Sequence, residues 1–176
     1  NHIRDSDAPW LLGQVIDSFH TPGKPGVGLP LGNLTSQLLV NVYMNEFDQF
    51  VKRVLKVQYY IRYADDFVVL HEKRAYLSNL VPTLSDFLEA ELQLSFNPNK
   101  VFIKTLASGT DFLGYVHFPD HRVLRTTTKD RMFRGIKARQ GKKETVQSYF
   151  GLMSHGNTKK LRQRVENDLE AMGNDL

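Results

Sequence analysis

Asp65 and Asp66 are adjacent carboxylates inside the run YIRYADDFVVL, Tyr60 to Leu70, whose other members are mostly aromatic, apolar or β-branched. Neighbouring negative charges repel and are costly to desolvate, so a buried strand pattern has no use for them. One reading of the pair is a solvated turn, because Asp is a favoured turn residue. The other is a ligand pair for a hard cation. Mg²⁺ takes oxygen donors and keeps several waters for substrate phosphates. Two-ion phosphoryl-transfer sites need several carboxylates around ions roughly 3.5–4 Å apart. Neighbours on a hairpin alternate in direction, so one carboxylate can face the ions while the other reaches them from the side.

Such a pair must be held by its surroundings. The β-rich runs Val57–Tyr63 and Phe67–His71, separated by Ala64-Asp65-Asp66, predict a hairpin. Before it, Trp10, Leu11, Val15, Ile16 and Phe19 recur at helical spacing. A Gly/Pro loop, TPGKPGVGLPLGN, follows. Thr35 or Ser36 then caps a helix expected to run to about Leu55, with an apolar stripe of Leu38, Leu39, Val42, Tyr43, Phe47, Phe50 and Val51. After the hairpin, a second amphipathic helix is expected from about Lys73 to Glu91. Two short strands are expected around the turn Asn97-Pro98-Asn99. Asp111–Phe118 reads as a further strand run, with HRVLRTT pairing across Pro119-Asp120. Beyond about Thr128 the pattern predicts three helices, broken near Gly141 and at SHGN.

The bulk composition narrows the class. At 176 residues and 41% hydrophobic, the chain can bury a core and is not a disordered tail. With no cysteine there is no disulfide framework and no Cys-based zinc site. No apolar run reaches membrane-spanning length and the first residues lack a signal-peptide pattern, so a cytoplasmic protein with no membrane partner is expected. The net charge of +4 is uneven. Between Lys129 and Arg164, eleven Lys or Arg stand against Asp130 and Glu144, a surplus of nine, which leaves the rest of the chain at −5. Either a solvated helical face or a polyanion partner accounts for that segment.

The order of the boxes carries a resemblance. GLPLGNLTSQLLVNVYMNEFD, then RYADDFVVL, a helix, LSFNPNKV, FLGY and SYFGLMSHGN together resemble reverse transcriptases of bacterial retroelements over essentially the whole chain. The resemblance implies an α+β polymerase palm, an antiparallel sheet backed by helices, over residues 1–127, and an α-helical thumb over 128–176. It implies RNA-directed DNA polymerase activity: attack of a primer 3′-hydroxyl on a dNTP with Mg²⁺, or Mn²⁺, on the catalytic and metal-binding Asp65 and Asp66. It places Pro30, Leu31, Gly32, Gln37 and Lys100 at the nucleotide. Phe112, Leu113, Gly114 and Tyr115 fall at the primer grip. Arg131, Arg134, Lys137, Lys142, Lys143, Lys159 and Lys160 fall along the nucleic-acid backbone, where such contacts position without reading sequence.

The residues also permit plainer readings. Gly32 can be a loop-to-helix glycine, Lys100 an exposed turn lysine, and Phe112, Leu113 and Tyr115 core. Many relatives carry Gln before the pocket glycine and Ser-Pro at the end of that box. Here Leu31 and Ser36-Gln37 stand instead, which is similar to reverse transcriptases of diversity-generating retroelements. That subgroup implies error-prone copying of a template-repeat RNA into cDNA with a small basic accessory protein. An aliphatic Leu31 offers the nucleotide no hydrogen bond, which weakens polar discrimination. A group II intron-type reverse transcriptase and maturase is the alternative, and a non-catalytic nucleic-acid-binding remnant the alternative of another class. The family's other catalytic aspartate, on a strand ahead of the Trp10 helix, has no match here. The chain is therefore expected to be a fragment lacking the fingers and first palm strand, and inactive alone.

Overall fold

Two hydrophobic clusters organise the computed structural model, which describes residues 5, 7–23, 27–28 and 34–173. They divide the chain into a unit of residues 1–99 and a unit of residues 100–176.

In the first unit, α1 spans Asp7–Asp17 and buries none of its residues. The helix expected to reach Leu55 is broken. α2 runs Leu34–Tyr43, so Thr35 and Ser36 lie inside its first turn rather than capping it. Met44 interrupts the path, α3 covers Asn45–Gln49, and a π-helical turn follows over Phe50–Val54. After the interruption the expected stripe does turn inward, with Phe47 and Val51 buried beside Met44; before it, Leu38, Val42 and Tyr43 of that stripe are exposed.

The strands β1 (Tyr59–Tyr63) and β2 (Asp66–Leu70) form the expected antiparallel hairpin, in register from Tyr59 opposite Leu70 to Tyr63 opposite Asp66. A two-stranded hairpin is marginal alone. This one is backed by helices: Tyr60, Phe67 and Val69 pack on the cluster of Met44, Phe47, Val51, Val57, Leu80, Leu84, Leu88 and Leu92. The last four recur every four residues along α4 (Arg74–Leu92), the period of a helix face turned inward. α4 ends with Gln93 in the left-handed region, and both Gln93 N–H and Leu94 N–H reach back to the Leu88 carbonyl, satisfying one of the helix's last acceptors.

The strands expected around Asn97–Asn99 do not form. Pro98–Lys100 is a 3₁₀ turn, and Leu106–Ser108 is another. Two asparagines flanking a proline favour local turns, and neither flank finds a sheet to join.

In the second unit, β3 (Thr110–Phe112), β4 (Tyr115–His117) and β5 (Arg122–Leu124) make an antiparallel meander in that order. Asp111–Phe118, expected as one strand run, is thus a tight hairpin turning at Leu113-Gly114, with φ of +52° and +81°. Two consecutive positive values are those of a type I′ turn, whose twist matches a hairpin. Gly114 supplies one of them without strain. Three helices follow as expected: α5 (Thr126–Ala138), α6 (Lys143–Met153) and α7 (Lys159–Ala171). α5 and α6 approach so closely at Gly135 that a Cβ there would lie 2.7 Å from the Tyr149 hydroxyl. The packing boundary at 99/100 does not coincide with the expected palm–thumb boundary at 127/128. Tyr115 and Leu124 of the sheet share one core with Met132, Ile136, Val146, Met153, Val165 and Leu169 of the helices.

Candidate active site

The inward face of the hairpin presents Tyr60 and Arg62 on β1, opposite Val69 and Phe67 on β2. Phe67 lies 5.1 Å from Phe47, centroid to centroid, and Tyr60 6.3 Å from the same ring. This aromatic platform fixes the strand that begins at Asp66. Asp65 lies in the turn and Asp66 opens β2, both exposed, and among the described residues neither carboxylate makes a hydrogen bond or ion pair. The turn itself is constrained: Ala64 has φ of +52°, a region that costs a residue with a Cβ roughly 1–2 kcal/mol.

Beneath the turn lies a polar network that the sequence reading missed. Arg62 donates from Nε to Asp48 Oδ1 at 2.8 Å and from Nη2 to Asp48 Oδ2 at 2.6 Å. Its Nη1 donates to Asn41 Oδ1 at 3.1 Å and to the Ala64 carbonyl at 2.6 Å. The Tyr60 hydroxyl donates to Asp48 Oδ1 at 2.6 Å. The Arg62 side chain is only 9% exposed. Hydrogen bonds from Arg62 and Tyr60 hold the Asp48 carboxyl below its ordinary range against the opposing effect of burial. Burial, then the Asp48 bond and charge, push the Tyr60 phenol up, and the bond to Asp48 pushes Arg62 further up. The available signal was strand alternation. A charged Arg62 in phase with Tyr60 on the inner face needs a partner, since buried charges are kept only when paired.

The pair Asp65 and Asp66 offers carboxylate oxygens, the donor chemistry of Mg²⁺ or Mn²⁺, and their exposure leaves room for water ligands. The donor set fits a divalent ion. It is one-sided, because among the described residues no group of three or more Asp, Glu, His or Cys stands together to hold a metal.

Of the residues expected at the nucleotide, Pro30, Leu31 and Gly32 lie outside the described residues. Gln37 is exposed on α2, and Lys100 is exposed at the end of its 3₁₀ turn. In the second unit, Phe112 is half-buried and Leu113 is exposed at the hairpin tip. Tyr115 is buried, and its hydroxyl donates to the Leu152 carbonyl at 2.6 Å, so that side chain faces the core of its own unit. The tip is braced from α5: the Gly114 carbonyl accepts from Arg125 N–H at 2.9 Å and from the Thr128 hydroxyl at 3.3 Å. Arg131, Arg134, Lys137, Lys142, Lys143, Lys159 and Lys160 are all exposed on α5, α7 and the α5–α6 junction. Arg162 and Arg164 of the same charge run lie instead over the rings of Phe150 and Phe133. No described helix is long and apolar enough to cross a membrane.

A family model described as reverse transcriptase (RNA-dependent DNA polymerase) matches residues 12–117, a stretch that contains the acidic hairpin, α4 and the Leu113-Gly114 turn. No curated protein matches the chain.

Proposed function

Since this chain belongs to the reverse transcriptase family, we propose that it supplies the catalytic hairpin of an RNA-directed DNA polymerase, with Asp65 and Asp66 as metal ligands. The observation that carries this reading is the hairpin itself: two exposed carboxylates, unpartnered among the described residues, on a strained turn fixed to an aromatic core. Reverse transcriptases generally use divalent metal ions; we assign Mg²⁺, with Mn²⁺ as its substitute. Ions held there would lower the barrier by neutralising charge on the transferred phosphoryl group and activating the attacking oxygen. The protein's own part is to hold the carboxylates in place before substrate arrives, so that little reorganisation is needed during reaction.

The remaining roles are proposed segment by segment. Residues 1–127 take the palm role and 128–176 the thumb role. Pro30, Leu31, Gly32 and Gln37 shape the nucleotide pocket, and Lys100 offers a flexible ammonium to a phosphate. The tip at Leu113-Gly114 suits contact with the primer end, whereas Tyr115 supports that tip from the core. The exposed Lys and Arg of the thumb hold template RNA and cDNA by their backbones. The aliphatic–Gly–x–x–x–Ser–Gln stretch supports the diversity-generating subtype, copying a template-repeat RNA with a basic accessory protein. A third carboxylate for the ions would have to come from outside the described residues.

Primer extension on an RNA template tests this in the natural protein that carries the sequence. Asp65→Asn or Asp66→Asn should reduce the rate by about a thousandfold, several kcal/mol of lost charge stabilisation, without lowering the unfolding midpoint. Activity retained within tenfold would overturn the assignment. Sequencing the products for errors opposite template adenine tests the subtype.

A further inference from the structure

We propose that Arg62 is a positioning residue for the acidic turn: anchored by Asp48, it holds Ala64 in the conformation from which Asp65 and Asp66 take a divalent ion. The proposal rests on the reading of those two aspartates as ion ligands. It concerns what keeps them in place.

The turn is not self-sufficient. A residue with a Cβ at φ of +52° occupies a disfavoured region, and such conformations persist only where the surroundings over-determine them. The over-determining contact is the 2.6 Å bond from Arg62 Nη1 to the Ala64 carbonyl. It is short and charge-assisted, the stronger class of hydrogen bond. The guanidinium cannot swing away from it, because Asp48 grips its other edge with two bonds and Asn41 takes a further one. Asp48 is itself fixed, one residue beyond the fully buried Phe47 on α3. Rigidity therefore passes from the helix core to Asp48, to Arg62, to the Ala64 carbonyl and to the bend.

An ion pair serving only to join α3 to β1 would be complete with Asp48 alone. The Ala64 bond adds nothing to that joint and acts on the turn. Lysine cannot replace the arrangement, since a single ammonium cannot present a planar fork to a carboxylate and reach a carbonyl on the other side.

The test measures Mn²⁺ affinity of the chain by electron paramagnetic resonance, with amide hydrogen exchange at residues 63–66 of the metal-free protein. The wild type is compared with D65N/D66N, Arg62→Lys, Asp48→Asn and the double variant Arg62→Lys/Ala64→Gly. Arg62→Lys should weaken Mn²⁺ binding about tenfold, some 1.4 kcal/mol, and speed exchange at residues 63–66 while α4 stays protected. Ala64→Gly should restore affinity to within threefold, because glycine adopts positive φ unaided; an ion pair that mattered only for folding would not be rescued this way. If Arg62→Lys does not fold, Asp48→Asn decides, with threefold weaker binding expected. Unchanged affinity and exchange in the variant that folds would overturn the positioning role alone. If the wild type binds Mn²⁺ no better than D65N/D66N, the ligand reading fails and the positioning role with it.

Discussion

Replacing Phe47 by alanine tests whether the acidic hairpin depends on the helix beneath it. Phe47 is fully buried, with ring centroids of Phe67 at 5.1 Å, Phe87 at 6.2 Å and Tyr60 at 6.3 Å. Emptying such a site costs about 3–5 kcal/mol from lost transfer energy and the residual cavity. The tilted and edge-on ring contacts keep it away from the low end of that range. Taking about 4 kcal/mol and a urea slope of about 2 kcal/mol per molar, the first unit's midpoint should fall by about 2 M. Domains of this size carry about 5–15 kcal/mol in all, so the loss is a large share of the total. Hydrogen exchange read at α4 and at β1–β2 follows this unit directly. Phe50→Ala is the internal comparison: Phe50 is half-buried and stacked on Phe87 at 4.0 Å, so its loss should be smaller. A midpoint drop under 0.5 M, roughly 1 kcal/mol by the same slope, would refute Phe47 as the keystone of this core. So would a larger cost for Phe50→Ala.

Two further outcomes follow from local geometry. The Asp48 carboxyl is held below its ordinary value of 3.8 by Arg62 and Tyr60, so it contributes stability above that pH and loses it as the pH falls through the folded value. Wild type should therefore lose its advantage over Asp48→Asn below about pH 4, as measured by urea midpoints across pH 2–7; a constant difference would contradict the pairing. Leu113→Gly should stabilise the second unit by about 0.5–1 kcal/mol. Relief of the left-handed conformation gains about 1–2 kcal/mol, and greater freedom of the unfolded chain takes back about 0.4–1 kcal/mol. A thermal midpoint below that of the wild type would argue against the strained tip.

The hairpin was legible because its signal is local. β-branched and aromatic residues on both sides of Ala64-Asp65 specify two strands, and the inner positions Tyr60, Phe67 and Val69 meet the core whatever lies beyond it. α4 was legible for the same reason, as an amphipathic span; its inward face is Leu80, Leu84, Leu88 and Leu92. The break at Met44 and the π-helical turn after it were not. Every residue from Leu34 to Leu55 tolerates a helix, and only packing against Tyr60, Phe67 and Phe87 sets which stripe turns inward. The expected strands near Asn97 failed because strand propensity has force only where a neighbouring strand accepts the hydrogen bonds.

By itself the sequence determined the acidic pair at a bend, its order among the other boxes, and thereby the family. These are properties of neighbours along the chain. Tertiary structure alone decided that Arg62, fourteen residues from Asp48, reaches back to grip the bend. It also decided that Tyr115 turns its hydroxyl to Leu152, thirty-seven residues away, and leaves the hairpin tip to Leu113 and Gly114. Contacts at that separation form only when the cores close, because the entropy of bringing distant residues together is offset by burial and not by any preference of the residues themselves.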